Sequence, residues 1–461
     1  MGAAILLSHG YFLELDPVER KVMRPYPPLG LLYLSAYLKS KGVAVEVFDS
    51  TFSTPRKLLE RLRASPPHRL GLYTNMMTRP RVISLVAAAR DLAIPVIVGG
   101  PDASGNPAEY LDHGASVVVR GEGEVTLAEL LSRWTDLDPP TDIPGTSVRA
   151  GHTNHHAADR PLMPSLSGQP WPDREAIPLE PYLETWRQHH GFGSVSLATA
   201  RGCPYTCTWC SRAVYGESHR RRPVEDVVDE IAFIQKRYAP ERIWFVDDVF
   251  TIHRGWTLEF AEKMKQRGLR IPFECISRAE RVDGEVADAL LSLGCFRVWI
   301  GSESGSQRIL DAMERRVRVE RVEEATRLLR GRGIEVGFFI MVGYEGEEDH
   351  DLVATLMHIR RSAPDVVLTT TAYPIHGTTY AAALADRLVN PRPWAASSDR
   401  ETLIRGSKSR RYYDAARAWI ENDAESHRLR RIGRNVASIP PAVRAGWARL
   451  KMRLRAHEQV A

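Results

Sequence analysis

Three cysteines lie close together in the chain and could hold an iron–sulfur cluster. Cys203, Cys207 and Cys210 have the spacing CxxxCxxC. Thiolates are soft ligands that suit iron–sulfur clusters. Three of them on one loop can ligate three irons of a 4Fe–4S cluster and leave the fourth iron without a protein ligand. Because an open iron can bind a small molecule, the spacing predicts chemistry at the cluster itself.

A structural zinc site and a chance grouping are the alternatives for these three cysteines. Structural zinc normally takes four protein ligands, and no further cysteine or histidine lies at zinc-like spacing. The remaining cysteines, Cys275 and Cys295, lie on predicted strands and are expected to be buried packing residues. His155 and His156 lie in a polar stretch and are expected to belong to a solvated loop.

The cysteine segment resembles the corresponding loop of the radical S-adenosylmethionine (SAM) superfamily. Glycine and proline punctuate the loop, and Trp209 precedes the last cysteine, as in that family. The resemblance implies that the open iron chelates the amino and carboxylate groups of SAM. One electron then cleaves SAM to methionine and a 5′-deoxyadenosyl radical, so an electron donor such as flavodoxin or ferredoxin is expected.

The length and composition indicate a globular protein of several domains. The 461 residues should form two or three domains, and 43% hydrophobic residues support sizeable cores. No run of about 18 apolar residues indicates a membrane span, and the N-terminus lacks the features of a signal peptide. Five cysteines, three of them in one motif, do not form a disulfide framework, so a cytoplasmic location is expected.

The first 135 residues are predicted to form a doubly wound parallel sheet of the Rossmann type. Short apolar strands alternate with helices; we predict these strands at 3–7, 43–48, 70–74, 95–98 and 117–119. Such sheets bind ligands at the carboxyl ends of their strands. The loops expected at that edge are 49–51, 74–78, 99–104 and 120–124.

This N-terminal segment resembles the cobalamin-binding domain that precedes many radical SAM enzymes. The phrases Pro-Pro-Leu-Gly-Leu-Leu-Tyr-Leu, Gly-Gly-Pro-Asp-Ala-Ser and Arg-Gly-Glu-Gly-Glu occur in the family's order. The histidine that ligates cobalt in some cobalamin enzymes is absent, and Asp49-Ser50-Thr51 stands there. A sheet that only supports the fold is therefore an alternative. The resemblance implies that the cobalamin contacts are Asn75, Met76, Gly99, Gly100, Pro101, Arg120, Gly121 and Glu122.

A partial barrel is predicted after a linker. Residues 136–193 are rich in proline, glycine and polar residues and are predicted to be the linker. Residues 194–385 alternate strands and helices and are predicted to form a partial (β/α)6 barrel, with strands at 195–200, 242–247, 271–277, 296–301, 334–341 and 366–373. Active sites of such barrels lie at the carboxyl ends of the strands. The cysteine loop follows the first strand and should lie at that rim.

Polar residues follow the other predicted strands, and the resemblance implies that they bind SAM. Asp247 and Asp248 end the second strand, where the superfamily places an acceptor for the SAM amino group. Arg278 follows the third strand. Glu303 and Ser304 follow the fourth, where a carboxylate and a hydroxyl can meet the methionine and the ribose. The predicted SAM contacts are Trp209, Asp247, Asp248, Arg278, Glu303 and Ser304.

The last part of the chain, residues 386–461, is predicted to be a basic helical extension. From residue 405 onward it carries 14 Lys and Arg against five Asp and Glu, an excess above the +5 net charge of the whole chain. Apolar residues recur there at helical spacing: Val443, Trp447, Leu450 and Leu454. Such a helix can pack on the barrel or lie on an anionic membrane; binding to nucleic acid is less favoured.

The best overall hypothesis is a cobalamin-dependent radical SAM enzyme that methylates an unactivated carbon. The substrate is expected to be a small molecule, or one resembling a lipid or a pigment. The cofactors supply the difficult chemistry, and the protein positions them. The alternative is a radical SAM cyclase, isomerase or dehydrogenase, with or without cobalamin; a sensing protein without turnover is a third hypothesis. Methylthiolation of tRNA is disfavoured. Enzymes of that kind resemble a chain whose N-terminal domain carries further cluster cysteines, and here no cysteine precedes Cys203.

Overall fold

The computed structural model describes residues 3–135 and 138–461. Its first layer is an α/β unit with this element order: β1 (Ile5–His9), α1 (Glu19–Val22), α2 (Leu29–Ser40), β2 (Val45–Val47), α3 (Pro55–Ala64), β3 (Leu70–Tyr73), α4 (Arg79–Asp91), β4 (Val96–Gly99), α5 (Pro101–Gly105), α6 (Pro107–Asp112), β5 (Val117–Val119), α7 (Gly123–Arg133), β6 (Thr146–Ala150) and β7 (Thr153–His156).

These strands form one seven-stranded sheet in the order β2-β1-β3-β4-β5-β6-β7. The first five strands are parallel, and β6 and β7 are antiparallel. Side chains alternate between two apolar layers because successive strand residues point to opposite faces. Leu6 and Val118 belong to one layer, and Ile5, Leu7 and Val119 belong to the other. The predicted doubly wound sheet is confirmed.

The switch point of this sheet lies between β1 and β3, where the order of the parallel strands reverses direction. In doubly wound sheets ligands bind in the crevice outside the carboxyl ends of the strands at this point. The carboxyl ends of these strands, at His9, Tyr73 and Gly99, therefore define the edge where a ligand is expected.

The predicted linker, 136–193, packs against both neighbouring units. Its first two residues lie outside the described residues. It contributes β6, β7 and then α8 (Glu180–His190), so His155 and His156 lie on a strand rather than in a loop. The buried Arg174 donates to Glu230 Oε1 at 2.9 Å, and the indole of Trp186 donates to Pro25 O at 2.8 Å. These contacts hold the N-terminal sheet against the barrel.

The barrel unit follows, and it consists of β8 (Ser194–Leu197), β9 (Ala200–Arg201), β10 (Arg220–Arg221), α9 (Val224–Tyr238), β11 (Arg242–Phe245), α10 (Arg254–Gln266), β12 (Phe273–Ser277), α11 (Gly284–Leu293), β13 (Cys295–Glu303), α12 (Gln307–Ala312), α13 (Val319–Arg330), β14 (Glu335–Val342), α14 (Asp349–Ser362) and β15 (Val366–Thr371). Its six-stranded sheet has the order β15-β14-β13-β12-β11-β8, and all neighbours are parallel. Among the described residues β8 and β15 do not pair, so the barrel is open, as predicted.

The C-terminal part adds α15 (Thr379–Ala383), β16 (Leu388–Val389), β17 (Leu403–Ile404), α16 (Arg410–Arg431) and α17 (Ile439–Leu454). The long helix α16 packs on β15 and α14, and α17 packs on α16. Trp419 and Ile420 of α16 and Ala448 and Met452 of α17 belong to the same apolar core as the barrel strands. Within 3–135 and 138–461, no helix is both long and apolar enough to cross a membrane.

Candidate functional site

The cysteine loop leaves the barrel at the carboxyl end of β8. Strands β9 and β10 pair antiparallel and close the loop at its base. Gly202 begins the loop with φ +83°, and a Cβ atom there would lie 2.3 Å from the carbonyl oxygen of Ser218. Only glycine fits that position without strain. The loop therefore has a defined entry point immediately before the first cysteine.

The three cysteines face two different environments. Cys207 is buried, and the guanidinium of Arg278 donates to its Sγ at 3.6 Å. Cys203 and Cys210 line a cavity between the two α/β units. Cys203 is half-buried and Cys210 is exposed to the cavity. Partial removal from bulk water raises the pKa of all three thiols, and the neighbouring Asp248 carboxylate helps to raise the pKa of Cys210 to about 12. Metal binding must displace these protons, since the ligand is the thiolate.

This donor set suits a cluster better than a single ion. Over residues 3–135 and 138–461, no three His, Cys, Asp or Glu side chains converge closely enough to hold one metal ion. In a cluster each thiolate ligates a different iron, so its ligands lie farther apart than those of one ion. Three thiols on one short loop, with a cation beside one sulfur, fit an iron–sulfur cluster with an open iron.

The middle of the loop is held against the strand ends on the opposite side of the barrel. Thr208 forms a hydroxyl–hydroxyl hydrogen bond with Tyr344 at 2.7 Å, and its carbonyl accepts from the amide of Tyr380 at 2.9 Å. Trp209, a predicted SAM contact, packs against the apolar cluster that includes Met313 and Tyr344. These contacts fix Cys207 and Cys210 on either side of a rigid turn.

The two adjacent aspartates after β11 have different surroundings. Asp247 is buried, and its Oδ1 accepts from the amides of Thr199 and Ala200 at 2.7 and 3.1 Å. Its Oδ2 accepts from Arg221 at 3.3 Å. Asp248 faces the cavity beside the cysteines, and burial together with the Asp247 charge raises the pKa of Asp248. Asp248 is thus the carboxylate that a ligand can reach, whereas Asp247 supports the loop.

Glu303 ends β13 in a strained conformation. Its φ is +61°, which is uncommon for a residue other than glycine. Burial raises the pKa of its carboxyl to about 7, against the lowering effect of the Arg278 charge. The Arg315 Nε lies 3.9 Å from Glu303 Oε1. Strained residues of this kind cluster at ligand sites, which agrees with the predicted contact to SAM.

Two other predicted SAM contacts make their hydrogen bonds inside the protein. The Ser304 hydroxyl bonds with the hydroxyl of Thr355, on α14, at 3.1 Å. Arg278 stacks on the ring of Tyr205 at 3.7 Å and donates to Glu280 and to a backbone carbonyl. Their contact with SAM stays a prediction. Arg278 contacts the cysteine loop through Tyr205 and Cys207, whereas Ser304 joins the end of β13 to α14.

One cavity connects the two units. Its volume is about 510 Å³. The carboxyl edge of the N-terminal sheet forms one side through Tyr73, Gly99 and Val119, and the cysteine loop with Asp248 forms the other side. Glycine and leucine dominate the sheet side. Such a surface fits a large, flat and mainly uncharged ring, so the residues present suit cobalamin.

Five of the eight predicted cobalamin contacts line this cavity, namely Gly99, Gly100, Pro101, Gly121 and Glu122. The other three are not among the residues that line it. Asn75 caps its own turn by accepting from Met77 and Thr78 amides, and Met76 lies in that turn. Arg120 donates to Asp159 and Ala157, away from the cavity.

The predicted loop 49–51 also lies away from the cavity. Asp49 accepts from the hydroxyl of Tyr182 at 2.6 Å and lies 3.0 Å from His9 Nε2. This loop therefore joins the sheet to α8. Among the described residues that line the cavity no histidine occurs, which agrees with the missing histidine motif.

Several residues of the site were missed by the sequence analysis. Arg201 donates to Glu122 at 3.2 Å and to Glu124 at 2.6 Å, and Arg220 donates to Glu122 at 2.7 Å. These pairs join the Arg-Gly-Glu-Gly-Glu segment to the base of the cysteine loop. Tyr33 of α2 stacks near Arg201, 5.2 Å from its guanidinium carbon. The position of Arg201 next to the motif was the signal that could have identified it.

The sequence matches two families. Residues 197–359 match the Radical SAM superfamily, and residues 17–131 match the B12 binding domain. Each match covers the unit to which the sequence analysis assigned it.

Two curated relatives are similar to this chain over most of its length. An uncharacterized methyltransferase of Pyrococcus horikoshii is 27% identical over 397 residues, which are 83% of this chain and 84% of that protein. The anaerobic magnesium-protoporphyrin IX monomethyl ester cyclase of Rubrivivax gelatinosus is 24% identical over 354 residues, 74% of this chain and 63% of that protein.

A solved structure shares the fold. The radical SAM methyltransferase TsrM of Kitasatospora setae, with cobalamin and a 4Fe–4S cluster bound, matches with a TM-score of 0.71 at 19% identity. The match covers 87% of this chain and 85% of that chain. At this identity the likeness supports the arrangement of the two α/β units.

Proposed function

We propose that this protein methylates a carbon atom of a small-molecule substrate. The chain belongs to the radical SAM superfamily and to its branch with an N-terminal cobalamin-binding domain. The observation that carries this proposal is the shared cavity. Cys203, Cys210 and Asp248 line one side of it, and the strand-end glycines of the cobalamin-binding domain line the other. Two cofactors held there would meet across one space.

The cofactors supply the redox and methyl-transfer chemistry when bound, and this chain's residues position the reactants. Cys203, Cys207 and Cys210 would hold three irons. Asp248 lies beside two of these cysteines, and its carboxylate can accept a hydrogen bond from an amine. It would therefore orient the amino group of SAM. The Glu303 side chain is only 13% exposed, and burial raises the pKa of its carboxyl to about 7. This carboxyl would accept a hydrogen bond from a SAM hydroxyl or donate one to it.

Arg278 and Asp247 would also hold the cysteine loop in position. The Arg278 guanidinium donates to Cys207 Sγ and stacks on Tyr205, and hydrogen bonds to cluster sulfurs tune the reduction potential. Asp247 holds the amides of Thr199 and Ala200, just before the loop. Both residues therefore keep the cysteines in place rather than contact the substrate.

A second candidate function is oxidative cyclisation, rearrangement or dehydrogenation, with or without cobalamin. The similarity to the magnesium-protoporphyrin cyclase favours it. The two candidates differ in the fate of the SAM methyl group, because only methylation transfers it to the product.

The cluster is tested by cysteine variants. We expect anaerobic reconstitution to give about four irons per chain and SAM cleavage to methionine and 5′-deoxyadenosine. Cys203→Ala, Cys207→Ala and Cys210→Ala should each lose both properties. Cys295→Ala is the matched control, because Cys295 is buried like Cys207 but lies at the start of β13, away from the motif. SAM cleavage retained by any motif variant would contradict the assignment.

The reaction is tested by labelling. Cells that express the protein, or lack it, would be fed methionine carrying a deuterated methyl group, and their metabolites compared by mass spectrometry. A product that gains the intact labelled methyl supports methylation. A product that loses hydrogen without gaining the label supports cyclisation or dehydrogenation.

The domain limits and the remaining partners are also proposals. We assign 1–135 to the cobalamin-binding domain, 136–193 to the linker, 194–385 to the barrel and 386–461 to the C-terminal extension; β6 and β7 support extending the first sheet into the linker range. A flavodoxin- or ferredoxin-like donor would supply the electron. A lipid- or pigment-like substrate and peripheral contact with a membrane complete this proposal.

A further inference from the structure

An unpartnered apolar stripe runs along the outer side of α17. Its five members in the helix are at least 45% exposed, and Trp447 and Leu454 reach 62% and 74%. Val436, one turn before the helix, is 81% exposed. Successive residues of an α-helix are rotated by about 100° around its axis. All six side chains therefore project within about 40° of one direction. The stripe of α17 comprises Val436, Ile439, Val443, Trp447, Leu450 and Leu454.

The stripe is not the face that α17 uses to pack on the protein. Pro441, Ala445, Ala448 and Met452 are buried, and they lie on the opposite side of the helix. The helix therefore has a complete internal contact and a second apolar surface of large side chains in water. Contiguous exposed apolar patches of this kind mark interaction sites.

Basic residues flank the stripe on both sides. By helical geometry Arg444, Lys451 and Arg455 lie on one flank, and Arg449 and Arg453 lie on the other. From residue 436 to 455 the sequence contains no aspartate or glutamate. The surface thus combines an apolar centre with a basic border, in which Arg455 at the end of the helix lies 3.8 Å from the carboxylate of Glu458.

The helix is held rigidly in this orientation. The chain after α17 folds back, where Val460 O accepts from the amide of Gly406 and Glu458 O accepts from that of Ser409, at 2.8 and 3.0 Å. At the other end the Ser426 hydroxyl donates to Ser438 O at 2.9 Å. The stripe is therefore a preformed surface, and its ordering costs little on binding.

We propose that α17 docks the protein on an anionic lipid surface, with the stripe inserted among the acyl chains and the flanking cations at the headgroups. Amphipathic helices with an apolar face and Lys/Arg borders bind in this way. The charge argues against a second copy of the chain, because a two-fold contact would place the basic borders of both helices against each other. This inference is independent of the proposed reaction.

The test measures binding to vesicles by flotation, with the full chain. We expect binding to phosphatidylcholine vesicles that contain phosphatidylglycerol, weak binding to phosphatidylcholine alone, and loss of binding at high salt. The double variant Trp447→Ser/Leu454→Ser should bind at least about tenfold more weakly. Lys451→Gln/Arg453→Gln should weaken binding by about fivefold per charge removed.

The matched control is Leu291→Ser/Met357→Ser, which removes two apolar side chains of 40% and 43% exposure from helices outside the stripe. It should bind as the wild type does, and circular dichroism should show all variants folded. Equal binding to neutral and anionic vesicles, or binding that the stripe variant retains, would overturn the proposal. A solution dimer that only Trp447→Ser/Leu454→Ser dissociates, in sedimentation equilibrium, would replace the lipid surface with a second copy.

Discussion

Two adjacent glycines at the end of β4 allow the proposed cobalamin site to be tested separately from the fold. Gly100 has φ +109° and ψ 177°, a region of backbone space that is accessible almost only to glycine. A Cβ atom there would lie 2.4 Å from the carbonyl oxygen of Thr74. That backbone cannot move freely, because the Thr74 amide donates to Gly99 O at 2.8 Å.

Gly100→Ala should therefore destabilise the protein strongly. The backbone conformation alone costs about 1–3 kcal/mol, and the clash adds to it, so we expect a loss of about 3 kcal/mol or more. This is a large part of the about 5–15 kcal/mol by which domains are stable. Gly100→Val would place a side chain in the ring's space, but it would mainly unfold the sheet and cannot report on ligand binding.

Gly99→Val is the informative variant. A Cβ atom at Gly99 would meet Val119 O and Val119 Cβ at 3.7 and 3.8 Å, which are ordinary contacts. Its side chain would enter the cavity at the sheet edge. We expect the unfolding free energy to change by less than about 1 kcal/mol, and corrinoid affinity to fall at least tenfold (about 1.4 kcal/mol).

The assay combines urea unfolding followed by circular dichroism with corrinoid titration followed by visible absorbance. Stoichiometric corrinoid with unchanged affinity in a folded Gly99→Val would refute the placement of the ring at this edge. Wild-type stability in Gly100→Ala would refute the backbone argument. If the folded wild type binds no corrinoid at all, the N-terminal sheet is structural, and the methylation proposal fails while the cluster proposal stands.

Three further predictions concern the barrel and its support. Asp248→Ala should weaken SAM binding by roughly 1.5–3 kcal/mol in equilibrium dialysis with little loss of stability, whereas Asp247→Ala should lower the melting temperature; unchanged SAM affinity in the former would show that the pocket is misplaced. Glu347 is half-buried, and its Oε1 atom is shielded from water without a hydrogen-bond partner. This desolvation raises its pKa from 4.5 to about 8, so the folded state binds an extra proton and stability should fall as the pH rises between these values, by at most about 1.4 kcal/mol per unit. Glu347→Gln should flatten this slope in urea unfolding at a series of pH values. Arg174→Met should cost about 1–3 kcal/mol, because Glu230 loses one of its two guanidinium partners; a stability equal to that of the wild type would mean that this ion pair contributes nothing.

Local sequence determined the ligand types and the order of the elements. The CxxxCxxC spacing predicted which cysteines would hold a cluster, because three soft ligands on a short loop must lie near one another wherever that loop is. The alternation of apolar strands and helices was sufficient to predict both parallel sheets, and the six barrel strands lie close to their predicted ranges. The polar residues at the strand ends were found because carboxyl ends of parallel strands share one edge.

The tertiary structure decided which of those residues face the cavity. Asp247 and Asp248 are neighbours in sequence, yet one accepts backbone amides of the loop and the other faces the cavity. Arg120 turns toward Asp159 of the predicted linker rather than toward the cavity. Sequence spacing contains no information on these choices, since they depend on hydrogen-bond partners 39 to 48 residues away.

The packing of the two units was also decided only by the tertiary structure. The cavity between them depends on Arg201 and Arg220 reaching Glu122 across 79 and 98 residues of chain. Likewise, helical periodicity predicted an amphipathic α17 but could not say which apolar residues would be covered. Pro441, Ala445, Ala448 and Met452 are covered, whereas Val443, Trp447, Leu450 and Leu454 remain exposed; the two alanines allow α17 to approach α16 closely, because the distance between packed helices depends on the side chains at the contact.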